Sequence, residues 1–192
     1  MSATIRPATD GDDAAVARVV EAAFGADEGV QVAEMVATLD ASGHTRASLV
    51  AEQDGGIVGH VQLSRSWVDA REALAEVLVL SPLSVAPDRQ GQGIGTALLA
   101  AAVAEAGALG APAVFLEGSP AYYGARGWTP GGDHGFTPPS VRIPAPAFQV
   151  VLLPAYEPWI SGALVYCEPF WALDCVGLRD PLLAQLEEQL GG

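Results

Sequence analysis

Apolar positions recur along this chain at two spacings, three to four residues in some stretches and two in others, and the alternation between them lays out its elements. Ala3 to Pro7 reads as a first strand. A helix start at Thr9 or Asp10 follows, with Ala14, Val16, Val19, Val20 and Phe24 at helical spacing. Gly25 to Gly29 reads as a break. Val32, Met35, Val36 and Leu39 then mark one face of a second short helix over residues 30–39. Residues 49–52 and 57–63 read as strands, and Gln53-Asp54-Gly55-Gly56 between them is a hairpin turn. Residues 67–75 read as a polar connection into a central strand over 76–85. Pro82 lies inside that strand and marks an edge or a bulge, because proline has no N–H for the ladder.

The second half continues the alternation. A helix is predicted over 94–108 and a strand over 113–116. Ser119-Pro120-Ala121 supplies an N-cap and a proline at the first helical position, so the helix bearing Tyr123 starts there and is short. Residues 131–146 form a Gly/Pro-rich loop containing His134. Strands are predicted over 148–153 and 161–166, followed by Glu168-Pro169-Phe170-Trp171. Asp180-Pro181 is expected to cap a last amphipathic turn through Leu182, Leu183, Leu186 and Leu190.

With 192 residues and no internal repeat, the chain is expected to form one domain over 1–192. Half of it is hydrophobic, yet no apolar run approaches the roughly 20 residues of a membrane helix. The opening MSATIRPATDGDD lacks a basic start and an apolar core, so no secretory signal is read and a cytoplasmic location is expected. Cys167 and Cys175 have no metal-ligand spacing and read as thiols in a reducing compartment; no metal site is expected. The net charge is −14, from 9 basic and 23 acidic residues. Such a surface disfavours nucleic acid and anionic membrane as partners. It is compatible with a cationic amine, although solubility, or an organism with an acidic proteome, is the readier explanation.

The stretch LSVAPDRQGQGIGTALL, from Leu83 onward, carries the chemistry. A strand end is followed by glycines at 91, 93 and 95 and at once by a helix start. That order presents backbone N–H groups and the positive end of a helix dipole to an anion. Spacing selects among the motifs that use this physics. No lysine follows the glycines, which excludes a P-loop, and Thr96 and Leu98 stand where a dinucleotide fingerprint needs its third glycine. What fits is Gln-x-x-Gly-x-Gly, as Gln90, Gly93 and Gly95.

That pattern resembles the pyrophosphate-binding motif of the GNAT superfamily of acetyl-CoA-dependent N-acetyltransferases. Tyr122-Tyr123-Gly124-Ala125-Arg126-Gly127-Trp128 is similar to the aromatic signature closing the cofactor half of that fold. The Pro-Ala-Tyr-Tyr-Gly segment resembles a branch of small predicted acetyltransferases. The resemblance covers residues 75–136 most firmly, with the terminal strands and tail over 147–192. It implies an α/β (α+β) fold: a mixed, mostly antiparallel central sheet, splayed between its fourth and fifth strands and flanked by helices.

The resemblance also implies roles. Gln90, Gly91, Gln92, Gly93, Ile94, Gly95 and Thr96 would hold the pyrophosphate of acetyl-CoA, with Arg89 able to add a charge. The backbones of Leu83, Ser84 and Val85 would pair with the pantetheine arm and donate to the thioester oxygen. Tyr123 would be the general acid toward the leaving sulfur. Some members carry a base on the fourth strand, where this chain has Val79; Glu76 lies three residues away, on the other face. Glu28, Glu117 or a water chain is left as the route for the amine proton. Glu28, Gln31 and Glu34 are candidates for the acceptor side, and Phe136, Tyr156, Trp159 and Phe170 for its lining or for core. His60 reads as a core histidine before a base.

The function implied is transfer of acetyl to a primary amine of a small molecule, peptide or protein, by a chain that can form a homodimer. The alternatives are a longer acyl donor and a non-catalytic acyl-CoA-binding regulatory module. A transferase acting on charged tRNA would want a basic face, which −14 opposes.

Overall fold

A computed structural model describes residues 3–191. They gather in two compact units: the chain up to Ser64 with Leu80–Leu109, and Arg65–Val79 with the chain from Gly110 on.

The first unit begins with β1 (Thr4–Pro7) and α1 (Asp13–Ala41), followed by β2 (Thr45–Gln53) and the first part of β3 (Gly56–Ala70). The end of β4 (Leu74–Val85) and α2 (Ile94–Ala108) complete it. β1 is antiparallel to β2 from Thr4↔Glu52 to Pro7↔Leu49, and β2 is antiparallel to β3. The hairpin works because Asp54 (φ 54°) and Gly55 (φ 79°) both take positive φ, as a two-residue turn matching the strand twist requires. The break in the first helical stretch is a single residue, Gly25 (φ 79°, ψ −174°), and helix resumes directly after it instead of at Val30. Gly29 then passes so close to Glu21 that a β-carbon on it would stand 2.4 Å from the Glu21 carbonyl oxygen. This close passage lets Val16, Val20 and Val36 share one apolar cluster with Val50 of β2.

The second unit holds β5 (Ala113–Glu117), α3 (Pro120–Gly124), β6 (Thr129–Pro130), β7 (Phe136–Thr137), β8 (Phe148–Leu152), β9 (Gly162–Tyr166), α4 (Glu168–Ala172) and α5 (Leu182–Leu190). β4 meets β5 in parallel at Leu78↔Val114 and Val79↔Phe115. β5 is antiparallel to β8 along its whole length, and β6 extends the ladder beyond β8. The sheet is therefore mixed and mostly antiparallel, as expected. Its core is aromatic: Phe115 meets Phe136 edge-on (4.8 Å) and stacks on Phe148 (5.6 Å).

Three expectations are corrected. β2 starts at Thr45, four residues earlier than expected. The supposed connection over 67–75 is mostly strand: β3 runs to Ala70 and β4 starts at Leu74, because Ser66–Ala70 pairs with β9. Val68 and Ala70 are buried while Asp69 is exposed, an alternation that reads as polar only when its partner strand is unseen. Last, α5 has Pro181 as its N-cap residue with no side-chain cap, so Asp180 does not cap it.

Candidate functional site

The glycine turn follows β4 through one tight turn, Pro87–Arg89, in which the Arg89 N–H donates to the Ala86 carbonyl (2.8 Å). Gly91 (φ 73°) and Gly93 (φ 83°) are left-handed, and no atom lies within 4 Å of where a β-carbon would stand on either. The need for glycine here is conformational, and the space above the turn is open to a ligand. Gly93 is the N-cap residue of α2. The first intrahelical bond runs from the Ala97 N–H to the Gly93 carbonyl (3.0 Å), so the N–H groups of Ile94, Gly95 and Thr96 precede it at the positive end of the dipole. Gln90, Gly91, Gln92, Gly93 and Thr96 are exposed, whereas Ile94 is buried and anchors the turn.

Two side chains shape this loop from within. The Gln90 amide donates to the Val85 carbonyl (3.1 Å), tying the turn back to the end of β4, and the Gln92 amide donates to the Asp88 carbonyl (3.4 Å). Arg89 is engaged by neighbouring side chains. Its guanidinium pairs with Asp54 (3.5 Å) and Asp88 (3.4 Å) and donates to the Gln53 amide oxygen (3.2 Å), which spends its charge on the neighbouring hairpin. On β4, Ser84 is buried, and Leu83 and Val85 are half-buried. The seat of α2 is Gly59 of β3. A β-carbon there would meet Leu98 Cδ1 at 2.8 Å, Ile94 Cγ2 at 3.2 Å and the Ser84 carbonyl at 3.2 Å. Sequence reasoning passed over Gly59; an isolated glycine inside a strand is the signal that marked it.

Tyr123 belongs to the second unit. The Ser119 hydroxyl accepts from the Tyr122 N–H (3.4 Å), capping α3 as expected. The two adjacent tyrosines then part company. Tyr122 is exposed and carries the Arg126 guanidinium over its ring (3.7 Å). Tyr123 is half-buried, with Trp128 (6.0 Å) and Gly118 against its ring; a β-carbon on Gly118 would sit 2.3 Å from Tyr123 Cε2. Burial first, and Tyr122 next, push the Tyr123 hydroxyl up to about 12, against a lowering by Arg126. It therefore keeps its proton at neutral pH and is a hydrogen-bond donor.

The remaining candidates sort by environment. Val79 is buried and apolar, and Glu76 is paired with Arg65 (2.9 Å). Glu28, Gln31 and Glu34 are exposed on α1. Glu117 is half-buried at the end of β5, where it accepts from the Tyr166 hydroxyl (2.8 Å) and the Gly177 N–H (3.0 Å). Burial pushes its carboxyl up, opposed by those two donors and by Arg142. His60 is a core residue: fully buried, its Nε2 is 2.9 Å from the Ser48 hydroxyl, and burial lowers it to about 4. Phe136 and Phe170 are core as well, the latter against Tyr166 (4.8 Å). Tyr156 and Trp159 are half-buried, with the Trp159 indole donating to Glu157 (2.8 Å). Among the described residues no cluster of His, Cys, Asp and Glu has metal-site geometry, and no helix is long and apolar enough to cross a membrane.

A strand end, a left-handed glycine turn and a helix start follow one another, and a capped short helix carries a protonated tyrosine. The family described as Acetyltransferase (GNAT) domain matches residues 4–131. The chain is 34% identical over 135 residues to the uncharacterized N-acetyltransferase YjhQ of Escherichia coli K12, covering 68% of this chain and 73% of that one. Two solved structures are similar over 88% of the chain. The GNAT family N-acetyltransferase YhbS of Escherichia coli, in complex with CoA, is 25% identical with 92% of it covered and a TM-score of 0.76. A GNAT family acetyltransferase of Brucella melitensis, in complex with acetyl-CoA, is 30% identical with 97% covered and a TM-score of 0.71. The chain belongs to the GNAT acetyltransferase family.

Proposed function

We propose that this protein transfers an acetyl group from acetyl-CoA to a primary amine of a small molecule, peptide or protein, the whole chain acting as one GNAT domain. The observation that carries the reading is the pair of left-handed glycines, Gly91 and Gly93, opening directly onto the N-terminus of α2. The open space over both positions fits a bulky anion, and the N–H groups of Ile94, Gly95 and Thr96 would hold its phosphate oxygens with Gly91, Gln92 and Gly93. Acetyl-CoA supplies the activated thioester.

The chain's own residues do the rest. The backbones of Leu83, Ser84 and Val85 align the pantetheine arm and give an N–H to the thioester oxygen, a donor worth about 3 kcal/mol of barrier. Tyr123 Oη, which holds its proton up to a pH of about 12, donates a hydrogen bond to the sulfur. Full proton transfer to a thiolate of pKa about 8.5 would run roughly 5 kcal/mol uphill, so the hydrogen bond is the working interaction. With Val79 apolar and Glu76 ion-paired, the amine proton leaves through water. The reading places the enzyme in the cytoplasm.

The test is calorimetry with acetyl-CoA alongside thiol release across a panel of amines and peptides. Micromolar binding with turnover on an amine supports the reading and begins to name the acceptor. Binding without turnover on any acceptor points to a regulatory acyl-CoA-binding module. Absence of binding sinks the assignment of residues 90–96.

A further inference from the structure

The polar groups behind Tyr123 form a clasp that the chemistry above does not use. Glu117 ends β5, immediately before Gly118, on which the ring of Tyr123 lies. Its two carboxylate oxygens are divided between two distant parts of the chain. The Tyr166 hydroxyl, from a buried residue at the end of β9, donates to one (2.8 Å); the Gly177 N–H donates to the other (3.0 Å). Gly177 in turn lies against Arg142, where a β-carbon would stand 2.6 Å from the Arg142 carbonyl oxygen. That carbonyl accepts from the Leu178 N–H (3.2 Å), and the Arg142 guanidinium pairs with Asp174 (3.2 Å). On the other side, the Gly118 N–H is fixed to the Ala147 carbonyl (2.9 Å). The backbone beneath the Tyr123 ring is thus pinned through Glu117 by three segments, around residues 142, 166 and 177. All three lie beyond residues 4–131, the span that matches the family.

We propose that Glu117 is a positioning residue: it locks the end of β5 to Tyr166 and Gly177, and thereby fixes Gly118 and the ring of Tyr123 that rests on it. The inference rests on the role given to Tyr123 above. A carboxylate with each oxygen accepting a hydrogen bond from a different fixed donor has one orientation, and it transmits that constraint to its own backbone. Because Gly118 has no side chain, the only cushion between that backbone and the Tyr123 ring is van der Waals contact, so a small shift of one moves the other. The C-terminal segment then serves the reaction from outside the site.

The experiment uses the full chain labelled with 3-fluorotyrosine, with Tyr123→Phe identifying the Tyr123 fluorine resonance. In the ligand-free protein, Glu117→Gln and Tyr166→Phe are expected to shift or broaden that resonance. Under turnover, each lowers kcat by about tenfold or more, as displacement of a catalytic group does, with the KM for acetyl-CoA changed by less than about twofold. Combined with Tyr123→Phe, neither adds a further loss, because both act through Tyr123. An unmoved resonance overturns the proposal, as do losses that multiply in the double variants; the latter would make Glu117 an independent participant such as a base. If Tyr123→Phe alone retains full activity, the role of Tyr123 has failed and the positioning role falls with it. Should Glu117→Gln not fold, Tyr166→Phe, which removes one hydroxyl, carries the test alone.

Discussion

Gly59 of β3 lies directly under Leu98 of α2, so close that a β-carbon on Gly59 would stand 2.8 Å from Leu98 Cδ1. The helix that begins at the glycine turn is therefore seated on bare backbone, with Ile94 and the Ser84 carbonyl closing the contact from the turn side. Replacing Gly59 with Ala overpacks this seat. The expected outcome is a loss of about 1–3 kcal/mol in unfolding free energy, together with weaker acetyl-CoA binding because the start of α2 is lifted. Denaturant titration and calorimetry check the two effects; unchanged binding in a destabilised variant would detach the seat from the site.

At the turn itself the conflict is conformational. Gly91 and Gly93 have left-handed φ with open space around them. Alanine at Gly93 is expected to cost roughly 1–2 kcal/mol, paid locally by distorting the turn, and asparagine less because it visits this region more readily. Acetyl-CoA affinity should fall in the order Gly, Asn, Ala. Equal affinities for all three would remove the left-handed turn from the binding mechanism.

Tyr123→Phe removes the hydroxyl and leaves the packing on Gly118 and Trp128. A fall in kcat of about a hundredfold with little change in KM for acetyl-CoA is expected for a donor used mainly in the transition state. The pH profile adds a second check. Because burial raises the hydroxyl from 10 to about 12, the protonated donor persists across the usual assay range, and kcat should not fall through Tyr123 ionisation below pH 10. The raised value also means that the folded state holds this proton more tightly than the unfolded one. Its stabilising contribution is complete below pH 10 and disappears as pH climbs toward 12.

His60 governs the acid side. Burial lowers it from 6.5 to about 4, so between those values the unfolded chain binds a proton that the folded chain does not. Stability is full above pH 6.5 and declines as pH falls to 4, by about 3 kcal/mol from this group. His60→Gln, which keeps a polar group near Ser48, should flatten that decline. Urea unfolding at pH 7 and pH 4.5 gives the comparison; an unchanged difference between the two pH values would put the acid sensitivity elsewhere.

Much of the local geometry around the glycine turn was legible in the residues. Gly91 and Gly93 before an alanine-rich helix announce a left-handed turn and a dipole because those are local properties, set by φ and by adjacent peptide units. The same holds for the Asp54-Gly55 hairpin and for Ser119-Pro120 at the start of α3. Elements whose reach depends on a distant partner were misread. Trp67–Ala70 becomes strand through pairing with β9, almost a hundred residues away, and its local polarity argued the opposite.

The sequence by itself thus determined the left-handed glycine turn and the tyrosine helix, since each is written in neighbouring residues and their backbone preferences. Only the tertiary structure decided which charges remain for chemistry. Arg89 is committed to Asp54 and Asp88, Glu76 to Arg65, and Glu117 to Tyr166 and Gly177. A side chain's charge is spent on whatever the fold brings within hydrogen-bonding distance, and that choice is made between segments that the sequence keeps far apart.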